Sequence, residues 1–179
     1  IVADLPPTSG PGGVQETTNL GSGVVVGASG IVITNYHVIT GASAITVVLS
    51  SGERRPAVLI ADDSPFNDIA ILRASGPGWR PMPIGDSDAL RLGDPVVVIS
   101  SGLVTYDNQV KAGVVSATHL EFPRPGQILE DMVQTDASVN HGDSGGALLN
   151  LDGELVGLVT TVVRSTPNGQ TVEGVALAH

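Results

Sequence analysis

The apolar positions of this chain come in short, β-branched runs separated by turns rich in Gly, Pro, Asn and Asp, a pattern that predicts strands. Residues 24–26 and 31–34 flank a Gly-Ala-Ser-Gly turn and predict a hairpin, closed by Asn35-Tyr36-His37-Val38-Ile39. Residues 44–49, 55–60 and 68–73 predict three more strands, and a Gly/Pro-rich loop with the single Trp follows. The polar stretch 84–94 divides the chain, after which residues 95–100, 109–118, 132–135, 147–151, 154–163 and 171–178 repeat the pattern. Asp152-Gly153 supplies a hairpin turn between two of them. No stretch keeps a helical period long enough for a packed helix. The expected fold is all-β, with two antiparallel six-stranded β-barrels: residues 20–91 form the first, residues 92–179 the second, and a cleft lies between them. Residues 1–19, with Pro6-Pro7 and Gly10-Pro11-Gly12-Gly13, read as an N-terminal arm or linker.

Composition narrows the classes. The 179 residues suffice for a full core, but aromatics are only 3%, so Val, Ile, Leu and Ala must build it. A formal net charge of −10 with only 8 Lys and Arg argues against nucleic acid and anionic membranes as partners. The absence of Cys excludes disulfides and thiolate metal sites, and fits a cytosolic or a bacterial envelope protein equally. No apolar run approaches membrane-spanning length and no signal peptide opens the chain, so an exported protein would have lost its targeting segment.

The candidate chemistry centres on Asn140-His141-Gly142-Asp143-Ser144-Gly145-Gly146, directly before an apolar run. A nucleophilic serine needs a sharp turn and small neighbours, so that a carbonyl can approach its hydroxyl. Such a turn can aim the N–H groups of Gly142 and Ser144 at one oxyanion. Taken alone, a Gly-rich turn with an ordinary surface serine fits as well. A base and an orienting acid are required, and the first half offers His37, at a predicted strand end, and Asp68, at the start of another. Each has an ordinary reading by itself, a packed strand-end residue and a turn residue. Together they place His37 and Asp68 in one barrel and Ser144 in the other, where a cleft would gather them.

Gly21-Ser22-Gly23-Val24, Ile33-Thr34-Asn35-Tyr36-His37-Val38-Ile39, Asn67-Asp68-Ile69-Ala70-Ile71-Leu72, Ile84-Gly85-Asp86-Ser87, Ala112-Gly113-Val114-Val115-Ser116-Ala117, Gln134-Thr135-Asp136-Ala137 and Gly142-Asp143-Ser144-Gly145-Gly146 occur in this order. These blocks, in a match that extends from about Gly21 to Ala178, resemble the HtrA/Deg family of trypsin-like serine proteases. The resemblance implies His37 as general base, Asp68 as orienting acid and Ser144 as nucleophile, with an oxyanion hole at Gly142, Asp143 and Ser144. It implies peptide-bond hydrolysis through an acyl-enzyme, with no cofactor and no metal. It also implies a primary pocket walled by Ser138, Val139, Asn140, Thr160, Thr161 and Val162. Such an aliphatic, uncharged pocket disfavours Arg and Lys and suits Val, Ala or Leu before the cut.

Family members often carry Asn at 143, whereas Asp is the trypsin habit. In activated trypsins that acid pairs with a new Ile terminus, and this chain begins Ile1-Val2. His141 reads as an exposed loop histidine, His119 as a surface residue, and Asp136 as a residue that holds its loop. Residues 120–131 and 164–170 correspond to loops that switch the site in relatives. The resemblance further implies protein or peptide substrates, unfolded ones foremost, a homo-oligomer (a trimer), and an extracytoplasmic location: periplasm, cell envelope or secreted. A PDZ domain is not present in this sequence, and it or a membrane anchor would belong to a longer chain. The alternatives are a general secreted elastase-like protease and a proteolytically resting chaperone or adaptor that binds peptides.

Overall fold

A computed structural model of the chain describes all residues except 11–12, 16, 102–107, 125, 141 and 165–167. The first half holds β1 (Val2–Asp4), β2 (Thr8–Gly10), β3 (Gly13–Gln15), β4 (Thr18–Leu20), β5 (Val24–Gly27), β6 (Ile31–Asn35), β7 (Ala44–Val48), β8 (Arg54–Asp62) and β9 (Ile69–Ala74). The second holds β10 (Pro95–Ser101), β11 (Asn108–Arg124), β12 (Gln127–Thr135), β13 (Ala147–Leu149), β14 (Leu155–Val162) and β15 (Ala176–Ala178). The chain is all-β, as its period-2 and β-branched pattern predicts, and its second half is a closed six-stranded barrel in the order β10-β11-β12-β15-β14-β13.

The first half departs from a six-stranded barrel. Its strands form one seven-stranded sheet, β4-β1-β7-β8-β9-β6-β5, and β2 and β3 pair only with each other. The additional strands come from the residues expected as an arm. Val2 pairs with Leu20 on one side and Thr46 on the other, and Ile1, Val2 and Ala3 are buried. Three apolar residues are too short a run to show periodicity, and the Pro- and Gly-rich residues after them hid the strand.

A second departure bears on the site. Tyr36–Ile39, expected to close a hairpin as strand, is a single helical turn (α1). Its Val38 and Ile39 are buried, and its exposed face carries His37. A third concerns residues 120–131, expected as loop: residues 120–124 and 127–131 extend β11 and β12 into a long hairpin, with Leu120 opposite Met132 and Phe122 opposite Leu129. Leu129 and Met132 are buried, and Leu120 and Phe122 pack on them. Pro123 and Gly126 gave this stretch the look of a loop, but its alternating apolar residues pair across the strands.

Each half has its own core, one around Val32, Ala70 and Leu72, the other around Val98, Val115, Leu148 and Val159. A separate cluster joins the halves: Val24 and Ile33 of the first sheet pack with Ala147, Leu149, Leu155, Leu158 and Ile99 of the barrel. This shared apolar seam fixes how the strand ends of the two halves face one another. Leu148 is fully buried, so Leu148→Ala should cost roughly 2–5 kcal/mol. Leu92, 70% exposed, should tolerate Ala within about 0.5 kcal/mol. Urea unfolding of the two variants measures both values; equal losses would contradict this burial pattern.

Candidate active site

His37 is positioned by α1, and its ring Nδ1 lies 2.6 Å from Oδ2 of Asp68. The other carboxylate oxygen, Oδ1, accepts the backbone N–H of His37 at 2.8 Å. Asp68 thus grips the ring and the main chain of one residue, which fixes the imidazole in place and makes Nδ1 the donor nitrogen. Asp68 sits just before β9 with φ 56°, a left-handed conformation uncommon outside Gly, Asn and Asp, and its carbonyl accepts Tyr36 N–H at 2.8 Å. The turn therefore locks α1 onto the start of β9.

Burial works to raise the Asp68 carboxyl, but its hydrogen bond to the His37 ring, the charge of that ring, the His37 N–H and Arg124 outweigh it and leave it below the ordinary carboxylate range. Arg124 donates to Asp68 Oδ2 at 3.1 Å from the far end of β11. Sequence reasoning missed Arg124, because nothing local marks a residue that reaches the site from the tip of a hairpin.

Ser144 belongs to the other half, in a turn closed by hydrogen bonds from Gly145 N–H to Val159 and from Gly146 N–H to Asp143. Only glycine fits at 145: its φ is +83°, and a Cβ there would lie 2.2 Å from the Ser22 carbonyl oxygen. The Ser144 hydroxyl donates to the Thr160 carbonyl at 3.4 Å, at the long limit for such a bond. His37 and Ser144 line one cavity of about 270 Å³, with Arg124, Val139, Asn140, Thr160, Thr161 and Val162 as its remaining walls. Of the residues expected to wall a pocket, Ser138 is the exception. It is exposed, because side chains alternate along this extended segment and Ala137 and Val139 point inward. A larger groove of about 400 Å³ runs past Val24, Val47, Trp79 and Ile99, with Arg80 the one charged side chain among its described walls.

The backbone around the serine separates the three expected oxyanion donors. Asp143 N–H donates to the Asn140 carbonyl at 3.1 Å, inside the turn, and is not available to a ligand. Among the described residues, the N–H groups of Gly142 and Ser144 have no acceptor. Gly142 has φ +92°, and its carbonyl accepts the Ser22 hydroxyl at 3.0 Å. Ser22 N–H donates to the Ser144 carbonyl at 2.7 Å, so one residue of the first half holds two residues of the Ser144 turn. Buried Asn35 spans the same seam, its Nδ2 donating to the Asp68 carbonyl at 3.3 Å and to Thr160 Oγ1 at 3.1 Å. Both residues lie in the blocks that carried the resemblance, yet their bridging role needs the other half's coordinates to be seen.

The Asp143 side chain is buried and faces away from the cavity, where it pairs with Lys111 and accepts Ser100 Oγ at 2.6 Å and Asn140 N–H at 2.6 Å. The terminal amine of Ile1 is elsewhere, donating to the Gly21 carbonyl at 2.7 Å. The expected Ile1–Asp143 pair is therefore absent, and Lys111 takes the place of the amine. Asp136 Oδ1 accepts Val114 N–H at 2.7 Å, which anchors the strand before the turn. His119 is exposed and pairs with Asp131 at 2.6 Å. With Asp88 these two form a surface group whose ligand atoms lie within 4.8 Å of one another, a set of types able to hold a metal. His141 lies outside the described residues.

Residues 21–158 match the family model of the trypsin-like peptidase domain. The chain is 42% identical over 149 residues to a probable periplasmic serine endoprotease DegP-like of Ectopseudomonas mendocina, covering 83% of this chain and 31% of that protein. It is 40% identical to the periplasmic serine endoprotease DegP of Salmonella typhimurium, covering 91% of this chain and 34% of the relative. The chain thus spans about a third of the length of these relatives. Among solved structures, the HtrA-type protease AlgW with tripeptide matches with TM-score 0.79 and 34% identity, over 99% of this chain and 55% of that one.

Because the Asp68 carboxyl is lowered in the folded state, its contribution to stability is present above the ordinary aspartate value and is lost as the pH falls through the lowered one. Unfolding free energies of the parent and Asp68→Asn, measured from pH 7 downward, should converge below about pH 4. A gap independent of pH would contradict the ionised pair.

Proposed function

The chain belongs to the HtrA/Deg family of trypsin-like peptidases, and on that premise we propose that it is a serine endopeptidase whose nucleophile is Ser144, general base His37 and orienting acid Asp68. The observation that carries the proposal is that a His37–Asp68 pair fixed by two hydrogen bonds shares one cavity with Ser144 from the other half. The long bond to the Thr160 carbonyl gives way by rotation about the Ser144 Cα–Cβ bond, which turns Oγ toward Nε2 of His37. Ser144 Oγ then attacks the substrate carbonyl carbon while Nε2 takes its proton, and Asp68 stabilises the imidazolium through Nδ1. The oxyanion accepts from Gly142 and Ser144 N–H, the two amides without a partner among the described residues. Collapse of the intermediate expels the amine, which receives the proton from Nε2 and leaves an acyl-enzyme. Water attacks the ester in a second passage through the same groups and frees Ser144.

The cavity also bears on the residue before the cut. Val139 and Val162 supply aliphatic walls, Thr160 and Thr161 polar but uncharged ones, and the one formal charge among the lining residues is the Arg124 cation. Val, Ala and Leu are favoured there, while Arg and Lys are rejected twice, by desolvation and by Arg124. Unfolded proteins are the substrate class proposed, on the strength of the family resemblance. These relatives are periplasmic endoproteases by name, which supports an extracytoplasmic location for this chain. Homo-oligomerisation and a further peptide-binding domain are proposals of the family resemblance alone.

Incubation with unfolded casein, followed by sequencing of the fragments, tests this reading. The parent should cleave after aliphatic residues, Ser144→Ala should lose at least about a thousandfold in rate, and Asp68→Asn about 10⁴-fold. Cleavage by Ser144→Ala at the parent rate would overturn the assignment of the nucleophile. Cleavage after Arg or Lys would overturn the pocket.

A further inference from the structure

We propose that Lys111 is a positioning residue for the reaction, the internal cation that holds the turn of Gly142 and Ser144 in shape by way of Asp143. The Asp143 carboxylate is only 1% exposed, a burial that a lone carboxylate does not tolerate. Three donors meet it: Ser100 Oγ on Oδ1, and Lys111 Nζ and Asn140 N–H on Oδ2. Two are neutral, so among the described residues that bond it Lys111 is the one that balances the charge.

The carboxylate in turn shapes the backbone beside the nucleophile. Its Oδ2 accepts Asn140 N–H, while Asp143 N–H returns to the Asn140 carbonyl and Gly146 N–H to the Asp143 carbonyl. Asn140, Asp143 and Gly146 are thereby tied around one side chain. Asn140 is a wall of the cavity, and Gly142 and Ser144 flank Asp143 in sequence, so the carboxylate's position sets both a pocket wall and the direction of two amides. If its cation is removed, Asp143 gains more by turning out to water than by staying, and the turn goes with it.

The cation comes from a rigid place. Lys111 lies on β11 opposite Val98 of β10, in the hydrogen-bonded wall of the closed barrel, and its side chain is only 15% exposed. The neighbouring β10 residue Ser100 supplies the hydroxyl that reaches Oδ1. The charge that steadies the turn is thus built into the same barrel, on a strand formed when the barrel closes. The Ile1 amine, on the Gly21 carbonyl, has no part in it. The proposal deepens the proteolysis reading and rests on it only in its catalytic arm.

The test compares the parent with Lys111→Met, Lys111→Arg and the double variant Lys111→Met/Asp143→Asn, which removes both charges. Amide hydrogen exchange of segment 139–147 is followed by mass spectrometry, alongside thermal unfolding and kcat and KM on an aliphatic peptide substrate. Lys111→Met should speed exchange in that segment by about tenfold or more and leave β10 and β14 protected. Its kcat should fall by about 10- to 100-fold with a smaller change in KM. Lys111→Arg should keep part of both, and the double variant should regain most of the loss, because a neutral amide needs no cation. Parent-like exchange and turnover in Lys111→Met would overturn the proposal. So would a double variant no better than Lys111→Met, with exchange raised throughout the barrel, since Lys111 would then be a packing residue. A parent that cleaves nothing would count against the proteolysis reading, while the exchange data would still decide the role of Lys111.

Discussion

Ser22 carries the join between the two halves. Its amide donates to the Ser144 carbonyl at 2.7 Å, its hydroxyl donates to the Gly142 carbonyl at 3.0 Å, and that same oxygen accepts Ser101 N–H at 2.9 Å. Its own carbonyl accepts the buried Thr34 hydroxyl at 2.7 Å, which ties it back to the strand that leads into α1 and His37. The proposed reacting groups stand on different sheets, and a displacement of an ångström between them would cost orders of magnitude in rate. The apolar seam sets the approach of the halves, and Ser22 with Asn35 sets its register. This explains why glycines stand at 21 and 145, where a Cβ would meet Val38 at 2.7 Å and the Ser22 carbonyl at 2.2 Å.

Charge is rationed around this seam. In a chain with formal net charge −10, two buried carboxylates lie beside the site, and each has a dedicated cationic or ionisable partner. Asp68 has His37 and Arg124; Asp143 has Lys111. The two cations both reside on β11, Lys111 in its first half and Arg124 at its end. One strand therefore reaches both ends of the proposed machinery, Asp68 and the turn of Gly142 and Ser144. The extension of the β11–β12 hairpin, braced by Leu120 and Phe122 on Leu129 and Met132, is what lets Arg124 reach the cavity.

Much of this was legible in the chain. Strands, turns and the order His37, Asp68, Ser144 follow from local pattern, since apolar alternation and turn residues report on the strand they occupy. What escaped were features without a local signature. The strand at Val2–Asp4 is too short to be periodic and is formed by its neighbours β4 and β7. The turn α1 interrupts a β-branched run because the Asp68 carbonyl and carboxylate capture the N–H groups of Tyr36 and His37. Lys111 and Arg124 reach their acids across 32 and 56 residues of sequence, respectively. An Ile terminus was the wrong partner for Asp143 for the same reason: the pairing of a buried acid is decided by the strands that fold over it.

The central claim is that two sheets bring one activated serine to a base held by Asp68. A fluorophosphonate probe tests it directly, with the labelled residue located by peptide mass spectrometry. The account predicts labelling at Ser144 alone among the serines, and a rate of labelling that collapses in His37→Ala. Labelling of other serines at a comparable rate, or of Ser144 at the parent rate without His37, would contradict it.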